Sequence, residues 1–101
     1  MEKAISTISR TLEILDKYDL RPQKKYGQNF LVDPNIVEKI ASLSADKEHI
    51  TLEIGPGIGS LTEMLAKYSK KVISYEIDDR LIPVLKENLA DLDNVEIINQ
   101  D

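Results

Sequence analysis

The chain has 101 residues, 42% hydrophobic and 31% charged, a globular composition rather than that of a disordered chain, which allows one domain at most, with a modest core. It has no cysteine, so disulfides and thiolate metal sites are excluded and no metal site is expected. The net charge of −5 argues against binding a polyanion through the average field, and no apolar run approaches the roughly 20 residues of a membrane span, so a cytoplasmic protein off the membrane is expected.

At the N-terminus, Ile5, Ile8, Leu12 and Leu15 recur at spacings of three and four, predicting an amphipathic helix that ends near Asp19, ahead of Arg21-Pro22. Residues 23–31 are polar and without period, and read as an ordered loop. Charge is uneven here, with Arg21, Lys24 and Lys25 in a stretch (20–32) that holds no acid. Asp33-Pro34 reads as an N-cap followed by proline at the first helical position, and Ile36, Val37, Ile40, Ala41 and Leu43 give the helix behind it an apolar face.

From residue 49 the pattern changes. Residues 49–54 are short, β-branched and end at glycine, as in a buried strand. Residues 60–68 carry Leu61, Met64, Leu65 and Tyr68 on one helical face. A second strand spans 71–77. A helix over 81–92 faces Leu81, Val84, Leu85 and Leu89 inward and tolerates Pro83 in its first turn, and a third strand spans 94–99. Strand, helix, strand, helix, strand with short connections predicts three parallel strands with right-handed crossovers, the first half of a doubly wound α/β fold. Such sheets are normally longer and covered on both faces, so the chain is expected to be a truncated piece of a longer protein, self-associating through the unpaired edge of its first strand.

The first strand runs into Glu53-Ile54-Gly55-Pro56-Gly57-Ile58-Gly59-Ser60, and a helix follows at once. Glycines in this context let the backbone turn sharply and approach a ligand at the carboxyl edge of the sheet. A nicotinamide dinucleotide loop wants its third glycine one place later than Gly59, and the lysine of a phosphate-binding Walker loop is missing. Glu53 is awkward beside a pyrophosphate and suits a ligand with an ammonium group and no phosphate, such as S-adenosylmethionine. Glu76, 21 residues beyond Gly55, is placed to accept from both ribose hydroxyls, and Asp101, after the third strand, from an adenine amino group. Asp78 and Asp79 read as solvated acids, one of them capping the next helix, while His49 and Met64 read as strand entry and core packing.

Lys24-Lys25-Tyr26-Gly27-Gln28-Asn29-Phe30-Leu31, taken with Glu53-Ile54-Gly55-Pro56-Gly57-Ile58-Gly59-Ser60-Leu61-Thr62, resembles the ribosomal RNA adenine dimethyltransferases, in particular those acting on the small-subunit RNA. The resemblance runs from about residue 10 to residue 101. It implies a Rossmann-like class I S-adenosylmethionine-dependent methyltransferase fold, with residues 1–22 as an N-terminal helix and linker and 23–101 as the N-terminal part of the methyltransferase domain. It implies a cofactor site that includes Asn29, Leu31, Gly55, Glu76 and Asp101. Of these, Gly55, Glu76 and Asp101 also follow from the residues themselves, together with Glu53, Gly57 and Gly59. The implied partner is ribosomal RNA in the small subunit, with Lys24, Lys25 and Tyr26 as candidate contacts through phosphate pairing and stacking. The family's catalytic Asn-Leu-Pro-Tyr motif follows a fourth strand and is not among these residues, so no catalytic residue and no turnover are expected of the fragment. Sister enzymes that confer macrolide resistance on large-subunit RNA share much of the pattern but usually lack a proline like Pro56. A nicotinamide-dependent oxidoreductase half-domain and a non-catalytic RNA-binding adapter are the other readings.

Overall fold

The computed structural model describes residues 4–21 and 33–101. The described elements are α1 (Ile8–Lys17), α2 (Pro34–Ser44), β1 (Ile50–Ile54), α3 (Ser60–Tyr68), β2 (Lys71–Tyr75), α4 (Leu81–Asn88) and β3 (Val95–Ile98). The strands form one parallel sheet in the order β1-β2-β3, with Glu53 opposite Ser74, Ile54 opposite Tyr75, and Tyr75 opposite Ile98. Local chemistry sets the helix starts. The Thr7 side chain accepts from the Arg10 amide at α1, and Asp33 accepts from the Asn35 and Ile36 amides at α2, with Pro34 in the first turn. No described helix is long and apolar enough to cross a membrane.

Strands added in one direction through crossovers of one hand place both crossover helices on the same face of the sheet. Side chains alternate along each strand, so Glu53, Val72, Ser74, Val95 and Ile97 turn toward the helices while Ile50, Leu52, Ile54, Ile73, Tyr75 and Ile98 turn away. On the helix side α4 buries Leu81, Val84, Leu85 and Leu89 in one cluster with Ile14 of α1, Ile5, Leu20 and Ile58. Each large aliphatic side chain buried there contributes roughly 1.5–3 kcal/mol. A second cluster joins Val37 and Ala41 of α2 to Met64, Leu65 and Ala66 of α3 and Val72 of β2.

Three expectations are corrected by this one-sided layering. β1 was expected to be buried; instead Ile50, Leu52 and Ile54 are 53%, 64% and 81% exposed, because both crossovers lie on the opposite face. In α1 the residues turned inward are Thr11 and Ile14, with Leu15 and Tyr18 half-buried, while Ile8 and Leu12 face solvent. Thr11 tolerates burial because its hydroxyl donates to the Ile5 carbonyl at 2.8 Å. In α2 the small residue Ala41 and its neighbour Val37 meet α3, and Ile36, Ile40 and Leu43 are left exposed.

Candidate functional site: the carboxyl rim of the sheet

The three strands end on one rim, and the chain between β1 and α3 is shaped there. The Gly55 amide donates to the Tyr75 carbonyl at 2.9 Å, which prolongs the β1–β2 pairing by one step. The backbone then passes through Gly55, Gly57 and Gly59, all at positive φ (71°, 62° and 99°), and enters α3 at Ser60. A Cβ built at Gly55 meets nothing within 4 Å, so this glycine keeps the approach to the loop clear. A Cβ at Gly59 would lie 3.3 Å from both terminal methyls of Leu89, so this glycine admits α4 against the start of α3.

Glu76, directly after β2, is the hub of the rim. It is 3% exposed; its Oε1 accepts from the Gly57 amide at 3.2 Å and its Oε2 from the Asp78 amide at 2.9 Å. Its backbone amide donates to the Ile98 carbonyl, and its own carbonyl accepts from the Gln100 amide at 3.1 Å and from the Asn99 side-chain amide at 2.9 Å. One residue thus joins the glycine loop, the β2–α4 loop and the end of β3, and Asp101 follows next along the chain, exposed. A carboxylate has about four acceptor sites, so Glu76 keeps capacity for two more donors after these two amides.

Glu53 has the opposite orientation. Its carboxylate is 7% exposed and sits under α3, where one oxygen, Oε1, accepts from the Thr62 hydroxyl and from the Ser74 hydroxyl, the latter at 2.8 Å. Burial pushes its pKa above the usual glutamate value, the two hydroxyls oppose that rise, and the negative charge of Glu76 adds to it. Two carboxylates thus lie close enough, at the rim and just behind it, for the charge of Glu76 to act on Glu53.

Asp78, read from sequence as solvated, is buried at 3%. Its carboxylate is gripped by the Arg80 guanidinium, Nε lying 3.1 Å from each oxygen and Nη2 2.7 Å from Oδ2, and it also accepts from the Arg80 amide. An Arg two residues away in a turn can fold back over the acid, which removes it from water. α4 has no side-chain cap, so Asp78 closes the loop ahead of the helix. The Asp-x-Arg spacing was the available signal for this pair. The signal for Ser74 was a hydroxyl on the same helix-facing side of the sheet as Glu53, and for Thr62 a hydroxyl on α3 three residues before Leu65. Of the residues proposed from sequence, Gly55, Gly57, Gly59, Glu76 and Asp101 come together on the rim, with Glu53 behind it. Asn29, Leu31, Lys24, Lys25 and Tyr26, and the proposed boundary between residues 22 and 23, lie outside the described residues.

A parallel sheet whose first strand feeds a glycine loop and whose second ends in an acid is common to dinucleotide-binding folds and class I S-adenosylmethionine-dependent methyltransferases. The solved structures that match this one place it with the methyltransferases, as the front half of their fold. Among solved structures, the 23S rRNA methyltransferase ErmE matches with a TM-score of 0.67 and 42% identity, over 72% of this chain and 30% of that one. A dimethyladenosine transferase from Plasmodium falciparum matches with a TM-score of 0.60 and 35% identity, over 68% of this chain and 26% of that one. The family described as ribosomal RNA adenine dimethylase matches residues 19–101, and the chain belongs to it. Ribosomal RNA small subunit methyltransferase A of Staphylococcus carnosus (strain TM300) is 54% identical over 101 residues, covering 99% of this chain and 34% of that protein. The protein of the same name from Staphylococcus haemolyticus (strain JCSC1435) is 58% identical over 100 residues, covering 98% and 34%. The chain thus spans about a third of the length of the curated relatives it matches.

Proposed function

We propose that the chain forms the cofactor-binding part of an enzyme that dimethylates adenosine N6 in small-subunit ribosomal RNA, using S-adenosylmethionine, in the cytoplasm as part of ribosome biogenesis. The observation that carries this reading is Glu76, held at both oxygens by backbone amides of the rim and still able to accept from two ribose hydroxyls. Gly55 leaves the cofactor's approach open, and Asp101 is the acceptor for the adenine amino group. Asn29 and Leu31 belong to the same site by the family pattern, and the neighbouring carboxylates of Glu76 and Glu53 suit a cofactor that carries an ammonium and a sulfonium. When bound, S-adenosylmethionine supplies a methyl group on a cationic sulfur for attack by adenine N6. Lys24, Lys25 and Tyr26 are the proposed RNA contacts.

Relatives at 54% and 58% identity are named for the small subunit, while the large-subunit enzyme structure is 42% identical, which favours the first substrate. The early third glycine, Gly59, and the presence of Glu53 two residues before Gly55 argue against a nicotinamide cofactor. An amide-resolved NMR titration with S-adenosylhomocysteine, and separately with NAD, tests the reading. Movement of the Gly55, Gly57, Gly59 and Glu76 amides with the first ligand alone is expected. Movement with NAD alone would overturn it.

A further inference from the structure

Glu76 is useful to a ligand only if its carboxylate is held in one plane, and two backbone amides hold it. The bond from Gly57 is the longer, at 3.2 Å, and comes from a loop of glycines. The bond from Asp78, at 2.9 Å, therefore does more to fix the orientation. That amide is aimed by the conformation of residues 76–80, which the Asp78–Arg80 pair closes. Arg80 grips Asp78 through Nε and Nη2, while its backbone amide bonds the same carboxylate at 3.0 Å. The planar guanidinium spans both carboxylate oxygens, which a point charge cannot do. The same guanidinium donates from Nη2 to the Arg21 carbonyl at 3.2 Å, tying the chain that follows α1 to this loop. Arg80 also neutralises the buried Asp78, which would otherwise add a third negative charge close to Glu53 and Glu76.

We propose that Arg80 is a positioning residue for ribose recognition: by clamping Asp78 it aims the Asp78 amide at Glu76 and sets the carboxylate plane that accepts the ribose hydroxyls. This rests on the cofactor reading above. Arg80 acts through Asp78 and then Glu76.

The test compares S-adenosylhomocysteine with its 2′,3′-dideoxy analogue, which lacks both ribose hydroxyls, by calorimetric titration of the full-length protein. S-adenosylhomocysteine is chosen because it has no sulfonium, so a change in rim charge acts on both ligands alike. Arg80→Ala is expected to weaken S-adenosylhomocysteine about tenfold, the scale of a hydrogen bond to a charged group, and the analogue less than about twofold on the same scale. Glu76→Gln is expected to erase the same preference. Arg80→Lys keeps the charge without the fork and is expected to recover part of it. Arg80→Lys also keeps the test decisive should Arg80→Ala fold poorly, since its free protein is expected to show a shifted Asp78 amide resonance with the Leu85 and Val84 core signals unmoved. Equal weakening of both ligands, or no weakening of either, would overturn the role of Arg80. Failure of the unsubstituted protein to bind S-adenosylhomocysteine would overturn the cofactor reading itself, and this inference with it.

Discussion

At the scale of single residues, Glu53 shows how a motif acid differs from its apparent role. Its position two before Gly55 suggested a partner for a ligand ammonium, yet its carboxylate receives the hydroxyls of Thr62 and Ser74 beneath α3. Burial raises its folded-state pKa above the ordinary glutamate value. Between those two values the folded chain binds more protons than the unfolded chain, so this group's contribution to stability is complete below the ordinary value and is lost as pH rises through the raised one. Glu38 and Asp46 act the other way. Hydrogen bonds from Tyr68 and His49 respectively hold their pKa values low, so their contributions fade as pH falls. In Glu53→Gln the amide oxygen can accept the same two hydroxyls without a charge. Unfolding curves from pH 4 to 8 are expected to lose the downward slope that Glu53 supplies, leaving the variant at least as stable as the parent at pH 7. A variant that is less stable at pH 7 and keeps the parent's slope would show that the carboxylate is not buried as a charge. Thr62→Val removes one donor and is expected to cost about 1–3 kcal/mol.

Among the elements, the strand–loop–helix from β1 to α3 separates two uses of glycine. Gly55→Ala meets no atom, so its stability cost is limited to the left-handed backbone, about 1–2 kcal/mol, while a methyl group now stands where the cofactor is proposed to approach. Gly59→Ala has the same backbone cost and also presses on Leu89, for a further 1–3 kcal/mol or so. Thermal unfolding is expected to rank Gly59→Ala as the less stable, and titration with S-adenosylhomocysteine to rank Gly55→Ala as the weaker binder relative to its folded fraction. The opposite ranking in both would refute the division. These elements were largely legible beforehand. The 3.6-residue and 2-residue periods located every described helix and strand, and α4 buries Leu81, Val84, Leu85 and Leu89 as its spacing required. Periodicity does not say which of two apolar stripes a helix will bury. In α1 the contact with α4 selects Ile14 and Leu15 over Ile8 and Leu12, and in α2 the close approach of α3 selects Val37 and Ala41 over Ile36 and Ile40. On the rim, spacing from Gly55 found Glu76, because strand and crossover lengths in this fold vary little. It missed Asp78 and Arg80, whose pairing depends on a turn conformation that no period encodes.

For the whole molecule, the consequence of one-sided layering is a bare sheet face. Ile50, Leu52 and Ile54 are exposed beside half-buried Ile73, Tyr75 and Ile98, and the outer edge of β1 pairs with no described strand. Parallel sheets are stable when covered on both faces, and a contiguous apolar patch with an open strand edge is a site of association. The 101-residue chain alone is therefore expected to self-associate in sedimentation velocity at tens of micromolar, with the weight-average mass rising with concentration. Leu52→Lys puts a charge on the middle of this face without touching either core cluster, so it is expected to lower the association while changing stability by no more than about 0.5 kcal/mol. Asp91→Asn, in the exposed turn after α4, raises the net charge by the same single unit and serves as the control for net charge alone. A protein of the relatives' full length, about three times that of this chain, is expected to remain monomeric under the same conditions because it has further chain with which to cover the face. A 101-residue chain that stays monomeric throughout, or association reduced equally by Asp91→Asn, would mean that the exposed β1 face is not what brings copies together.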